Sequence, residues 1–162
     1  MNTINACFAG SLLLLAASAS HAADHASGSI SLGTTTGVIQ HAVMVRGPDE
    51  MDAKHSILRI YLSSSDIAAR IRACKTLTCA DSALEDGAMV DYSDASHLPY
   101  AVRLDHERKQ YSGATDGDAF ALTTKAPDRL AGKLHVDDGA MGGAKIDADF
   151  DLTVAATFAS AR

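Results

Sequence analysis

The 162-residue sequence predicts a mainly β fold, a single antiparallel β-sandwich or barrel of about eight or nine short strands with one short helix inserted near residues 66–75. Three observations carry this expectation. Apolar and polar residues alternate with a period of two through most of the chain. Only one stretch, SSSDIAARIRACK at residues 63–75, changes to helical spacing. With three prolines and no internal repeat or low-complexity segment, nothing divides the chain into further domains.

Taken in order, residues 8–20, FAGSLLLLAASAS, form an apolar stretch without a charge, and the small residues Ser20 and Ala22 follow it. The stretch is too short to span a bilayer before His21 and Asp24 arrive, since a spanning helix needs about 20 apolar residues. Residues 1–22 therefore read as a secretory signal, and residues 23–162 as one β-rich domain without a membrane span. Cys7 precedes the apolar run and leaves with the signal. All 14 Lys and Arg and all 20 Asp and Glu lie beyond residue 22, so the remaining domain keeps the net charge of −6. That balance opposes nucleic-acid binding, because a phosphate backbone has to be met by a positive surface. The implied location is the periplasm or the extracellular medium.

Strands are expected near residues 29–32, 38–46 and 56–62. In the helical stretch that follows, Ser65 suits an N-cap and Asp66 the first turn, while Ile67, Ile71 and Cys74 share one face. Cys74 and Cys79 are the two cysteines left after signal removal, in a compartment where thiols oxidise. A continuous helix would hold them about 7.5 Å apart in rise and roughly 140° apart in direction. A disulfide needs Cα atoms about 4.4–6.8 Å apart. The helix must then stop at or just past Cys74, with residues 75–78 looping back; the closed ring contributes about 2 kcal/mol. A zinc site would need four ligands, and thioredoxin-type chemistry would need two intervening residues rather than four.

Further strands are expected near residues 89–92, 98–104, 109–111 and 120–123. In HLPYAVRL the side chains of Leu98, Tyr100, Val102 and Leu104 point inward, and DHE at residues 105–107 turns the chain. The clearest alternation closes the chain. RLAGKLHV sets Leu130, Leu134 and Val136 against Lys133 and His135, and KIDADFDLTVA sets Ile146, Ala148, Phe150, Leu152 and Val154 against Asp147, Asp149, Asp151 and Thr153. Joined by the glycine-rich DDGAMGGA, they predict a hairpin with one wet face, Lys133 across from Asp149 and His135 across from Asp147. Such pairs contribute roughly 0.2–1 kcal/mol each.

Catalytic signals are sparse. Asp147, Asp149 and Asp151 would spread over about 13 Å of extended strand, too far for one ion. His25, His41, His55, His97, His106 and His135 show no H-x-H or H-x3-H spacing. His41 shares the alternation of Ile39, Val43 and Val45 and is expected to be a buried, hydrogen-bonded histidine. Neither a G-x-S-x-G elbow nor H-E-x-x-H occurs, and Ser112 beside Gly113 reads as a turn serine. No cofactor is implied, and the expectation is a protein that is not an enzyme.

The segments SGSISLGTTTGVIQHAVMVRGPDEMDAKHSILRIYLSSSDI and LAGKLHVDDGAMGGAKIDADFDLTVAA resemble a family of exported bacterial all-β proteins of uncharacterised function. That family opens on a short G-x-[IL]-x-[IL] strand, continues into an apolar strand with a His-Ala pair, here His41-Ala42, and closes on an A-G-[KR]-[LV] strand and an acidic-apolar strand. The resemblance implies the β fold and carries no active site. A weaker likeness, through YSGATDG at residues 111–117, is to periplasmic lysozyme inhibitors of the C-type class, whose loop of this kind enters the lysozyme cleft.

The function expected from these readings is non-enzymatic binding of a protein or envelope component through exposed loops near residues 47–55 and 137–144. The candidate binding residues are Asp137, Asp138, Gly139, Met141, Ser112, Gly113 and His41. The alternatives are a periplasmic copper- or zinc-binding protein using histidines with Met44, Met51 and Met141, and an inhibitor of a cell-wall hydrolase such as lysozyme.

Overall fold

The computed structural model describes residues 24–52 and 54–162; the expected signal at residues 1–22, with Cys7, lies outside them. The described residues form ten strands: β1 (His25–Leu32), β2 (Thr35–Ile39), β3 (His41–Pro48), β4 (Ser56–Ser63), β5 (Gly87–Tyr92), β6 (His97–Leu104), β7 (Lys109–Asp116), β8 (Phe120–Ala126), β9 (Arg129–Asp137) and β10 (Ala144–Thr157). Two short helices, α1 (Ala68–Ala73) and α2 (Leu77–Asp81), lie between β4 and β5. The strand count exceeds the expected eight or nine because the ribbon foreseen at residues 38–46 is two strands. Its ladder partner changes at Gln40, from β1 on the β2 side to β4 and β10 on the β3 side, and the Gln40 amide donates to the Ser63 carbonyl at 3.0 Å.

The strands make one curled, open sheet in the order β2-β1-β10-β3-β4-β5-β6-β7, a half-barrel from which β9 and then β8 branch off β10. All pairings are antiparallel except β10 with β3, which corrects the purely antiparallel expectation. The cause is the length of β10. Its first part lies between β1 and β9, and beyond an irregularity at Val154 and Ala156 its end runs alongside β3.

The final hairpin has the expected register, Lys133 opposite Asp149 and His135 opposite Asp147. Period-two alternation places Leu130, Leu134, Val136, Ile146, Phe150 and Leu152 in the core inside the curl, with Met44, Ile60, Val90, Leu98 and Val102 from the other strands. A second core lies on the outside. There Val43, Val45, Ile57 and Tyr61 are covered by Ile71 of α1, Leu77 of α2, Leu84 and Phe158. β3 and β4 are consequently buried on both faces along most of their length.

The helices are tied to each other, to the C-terminal tail and to the sheet. Cys74 and Cys79 are disulfide-bonded with Cα atoms 5.5 Å apart, and α1 ends at Ala73 as the geometry requires. The return is tighter than expected, because α2 begins at Leu77 with Thr76 as its cap, accepting from the Cys79 amide at 3.3 Å. The C-terminal tail supplies the second tie, its Ser160 and Ala161 carbonyls accepting from the amides of Leu77 and Thr78. In the third, Arg103 Nη1 on β6 donates to the Asp81 and Leu84 carbonyls at 3.0 Å each. Ser65 is not the cap of α1. β4 runs on to Ser63, the cap position falls to Ile67, and Asp66 instead accepts from the Ala68 amide at 2.9 Å. Among the described residues, no helix is long and apolar enough to cross a membrane.

Candidate functional site

The apolar run of β4 is interrupted by one cation, Arg59, and the pleat turns it outward with Ile57 and Tyr61. Register sets Arg59 straight across from Asp91 on β5 and Tyr61 across from Met89. The docked α2 brings Asp81 over both. Arg59 grips Asp91 with two parallel bonds, Nε to Oδ1 at 2.6 Å and Nη2 to Oδ2 at 2.9 Å, the fork geometry that makes Arg–carboxylate pairs strong. Its Nη1 donates to both Asp81 oxygens at 3.0 and 2.8 Å, and the Tyr61 hydroxyl donates to Asp81 Oδ1 at 2.7 Å. Glu50, from the loop before β4, stands 3.9 Å from Arg59 Nη1.

One guanidinium thus faces three carboxylates, two of them largely sequestered from water. Burial opposes the charge on Arg59, but the bond to Asp91 and the fields of Asp91 and Asp81 more than offset it and hold the guanidinium protonated. Burial pushes the Asp91 carboxyl above its ordinary range against the pull of Arg59, with Asp81 and Glu50 adding to the rise. Burial, then the neighbouring Asp81, pushes the Tyr61 hydroxyl far up, so it remains a donor.

Beside this cluster opens a cleft of about 240 Å³ over the outer face of β5, β6 and β7. Its acidic wall is Glu50, Asp81 and Asp91; Arg59, Met89 and Tyr100 line it too, with the small side chains of Ala101 and Ser112 toward β7. The far side is β7, paired only with β6 and therefore an edge strand. The other two edges are blunted. β2 is five residues long, and β8 carries an irregularity between Leu122 and Thr124 followed by Lys125. β7 runs eight residues with Ser-Gly-Ala-Thr at its centre, free of charge and proline.

Ser112 and Gly113 therefore lie on this edge strand beside the cleft, not in a turn or loop. Gly113 pairs with Tyr100, and a Cβ there would stand 2.9 Å from the tyrosine ring, so glycine is what lets that ring cross beneath β7. The Tyr100 hydroxyl donates to Asp138 in a short bond, and burial followed by that bond raises it far above the usual phenol range. Asp138 is thereby a tie between the connection after β9 and the β6–β7 edge. Asp137 is also occupied, accepting from Lys145 Nζ at 2.9 Å and from the Gly139 amide at 3.0 Å. In the expected 137–144 loop, Met141 projects freely, 81 % exposed.

His41 is exposed, which corrects the expectation of a buried histidine; the break at Gln40 puts it at the head of β3, in a separate depression with Asp66 and Arg72. Four other histidines each take their own aspartate: His55 with Asp52 at 3.0 Å, His97 with Asp116 at 2.9 Å, His106 with Asp86 at 3.3 Å and His135 with Asp147 at 2.5 Å. Among the described residues, no three His, Cys, Asp or Glu side chains form a group able to hold a metal ion. Met44 is fully buried while Met51 and Met141 face solvent, so the thioethers do not converge either. Arg59, Asp81 and Asp91 were not among the residues the sequence reading singled out; the one signal for them was an arginine inside the apolar SILRIYLS with an aspartate inside AMVDY. Comparison with protein-family models, curated proteins and solved structures finds no match for this chain.

Proposed function

We infer that the protein is an exported, non-enzymatic binding protein that takes up an extended segment of a protein partner along the free edge of β7, with a basic side chain of that segment entering the acidic-walled cleft. The single observation behind this reading is the open edge: two of the three sheet edges are blunted, and the third runs eight residues beside the cleft with charges only at its two ends, Lys109 and Asp116. An added strand satisfies the open row of main-chain groups, and the pockets beside it supply specificity. A binding role also suits the polar groups at the cleft, which are bonded to one another rather than arranged as a nucleophile with its base. The disulfide and the apolar segment at residues 8–20 support export to the periplasm or beyond. In this reading the fold works as a sandwich whose two layers share β10, one layer offering its edge.

The test is capture from periplasmic extract by the wild-type protein and by a Ser112→Lys/Ala114→Lys variant, both sites being exposed on the cleft side of β7. A partner retained by the wild type and lost by the variant supports the reading. A partner held equally by both places recognition elsewhere. Lysozyme, the partner class implied by the weaker resemblance, is assayed in parallel, and unaltered lysozyme activity at large excess removes that form of the proposal.

A further inference from the structure

One row inside the curl sets a cation among apolar and aromatic side chains. There β10, β3, β4 and β5 align Thr157, Arg46, Leu58 and Tyr92 as direct neighbours. Arg46 follows the inward, fully buried Met44 by two positions, so the pleat sends its side chain to the same inner side. Its guanidinium Nη2 donates to the Pro127 carbonyl in the turn between β8 and β9. Among the described residues, no carboxylate lies within ion-pair distance of it.

A second cation stands at the same opening. Lys125 near the end of β8 lies 5.4 Å from the centre of the Tyr92 ring and 3.0 Å from Asp94, whose side chain is almost wholly in solvent. Between Arg46 and Lys125 lies a cavity of about 320 Å³, floored by Leu58 and Leu130, with Ser56, Ser93 and the Asp94 carboxylate also in its lining. That is the small end of the range for ligand pockets, about 300–1,000 Å³. It would hold about ten waters, over a floor that offers them few hydrogen bonds.

Two cations beside an apolar floor favour an anion that carries an apolar body. We propose that this cavity is a binding site for a small monocarboxylate with a compact apolar body, the carboxylate held by Arg46 and Lys125 and the body resting on Leu58 and Leu130. The apolar part gains by leaving water, and the paired charge supplies orientation. This site is independent of the β7 edge. It lies inside the curl and shares no residue with the outer cleft, so either reading can fail alone.

The experiment is an amide NMR titration of the intact protein with octanoate, with 1-octanol and octylammonium as neutral and cationic analogues. Expected are saturable shifts for octanoate centred on Arg46, Leu58, Tyr92, Lys125 and Leu130, roughly tenfold weaker binding of octanol and no binding of octylammonium. Arg46→Met should weaken octanoate by roughly tenfold while leaving octanol unchanged. Lys125→Gln, at an exposed side chain, tests the same demand for charge without touching the core. Absence of saturable shifts up to about 10 mM octanoate, equal binding of the three probes, or shifts centred elsewhere would overturn the proposal. So would octanoate affinity unchanged in whichever of the two variants keep the wild-type far-ultraviolet spectrum.

Discussion

Lys133 and His135 on β9 face Asp149 and Asp147 on β10, and Arg59 on β4 faces Asp91 on β5. Locally these are the same device, a cation set straight across an antiparallel ladder from a carboxylate. Their surroundings differ. The Lys133 and Asp149 side chains are 70 and 57 % exposed, those of Arg59 and Asp91 8 and 10 %. On the wet hairpin face, water and salt screen the pair and its loss is small. Under α2, removing one partner strands a charge in a medium that cannot solvate it. The comparison teaches that cross-strand register decides who meets whom, while what covers the sheet decides how much the meeting matters.

The largest expected effect is at the buried pair. Asp91→Ala should lower the unfolding free energy by about 3–5 kcal/mol in chemical denaturation, and the melting temperature by roughly 10 °C. Arg59→Met combined with Asp91→Leu should recover most of that loss, because it removes both charges and keeps apolar volume. A loss under about 1 kcal/mol for Asp91→Ala would erase the distinction between the two regions.

Acid titration sharpens the comparison by sign. The Lys145 ammonium and the Gly139 amide hold the Asp137 carboxyl below its ordinary value of 3.8, and Arg129, bonded to both oxygens at 2.9 and 2.7 Å, does the same for Asp151. For both, the unfolded chain binds more protons in acid. Their stabilisation is complete above pH 3.8 and is lost as pH falls through the lower folded values. Asp91 runs the other way. Burial lifts its folded value, so the native state takes up the proton first and gains as pH falls through that raised value. Denaturation followed across the acid range should show Asp151→Asn flattening the acid loss and Asp91→Asn steepening it. Equal behaviour of the two variants would mean that burial does not separate the pairs.

The smallest effect belongs to the exposed ladder. Asp149→Ala should cost under about 1 kcal/mol in the same denaturation assay, less at high salt. A loss near that of Asp91→Ala would show the hairpin face to be covered by something outside this chain.

Much of the scaffold was legible in the residues. The hairpin of β9 and β10 could be read to its register because one face is wet and the other buried, and a slip of one residue would exchange the two. The stop of α1 at Cys74 was legible because a disulfide tolerates few geometries. The division between β2 and β3 was not, since the same alternation runs through Gln40 whether or not the ladder partner changes there. His41 was misjudged for the same reason. The cleft escaped notice because Arg59, Asp81 and Asp91 come from three separated segments, and nothing in SILRIYLS says that its outer side is covered.

What the sequence by itself determined is the period-two ribbon, the inward set of β6, β9 and β10 and the site of the cross-link, because each follows from contacts between residues near in the chain or from a single bond geometry. Only the tertiary structure decided which edge stays open, which arginine sits inside the curl without a carboxylate and which aspartate bears the buried charge. Those depend on how α1, α2 and the C-terminal tail close over β3 and β4 and how β10 bridges distant strands. Burial is a property of the assembled surfaces, and no short window of sequence contains both surfaces at once.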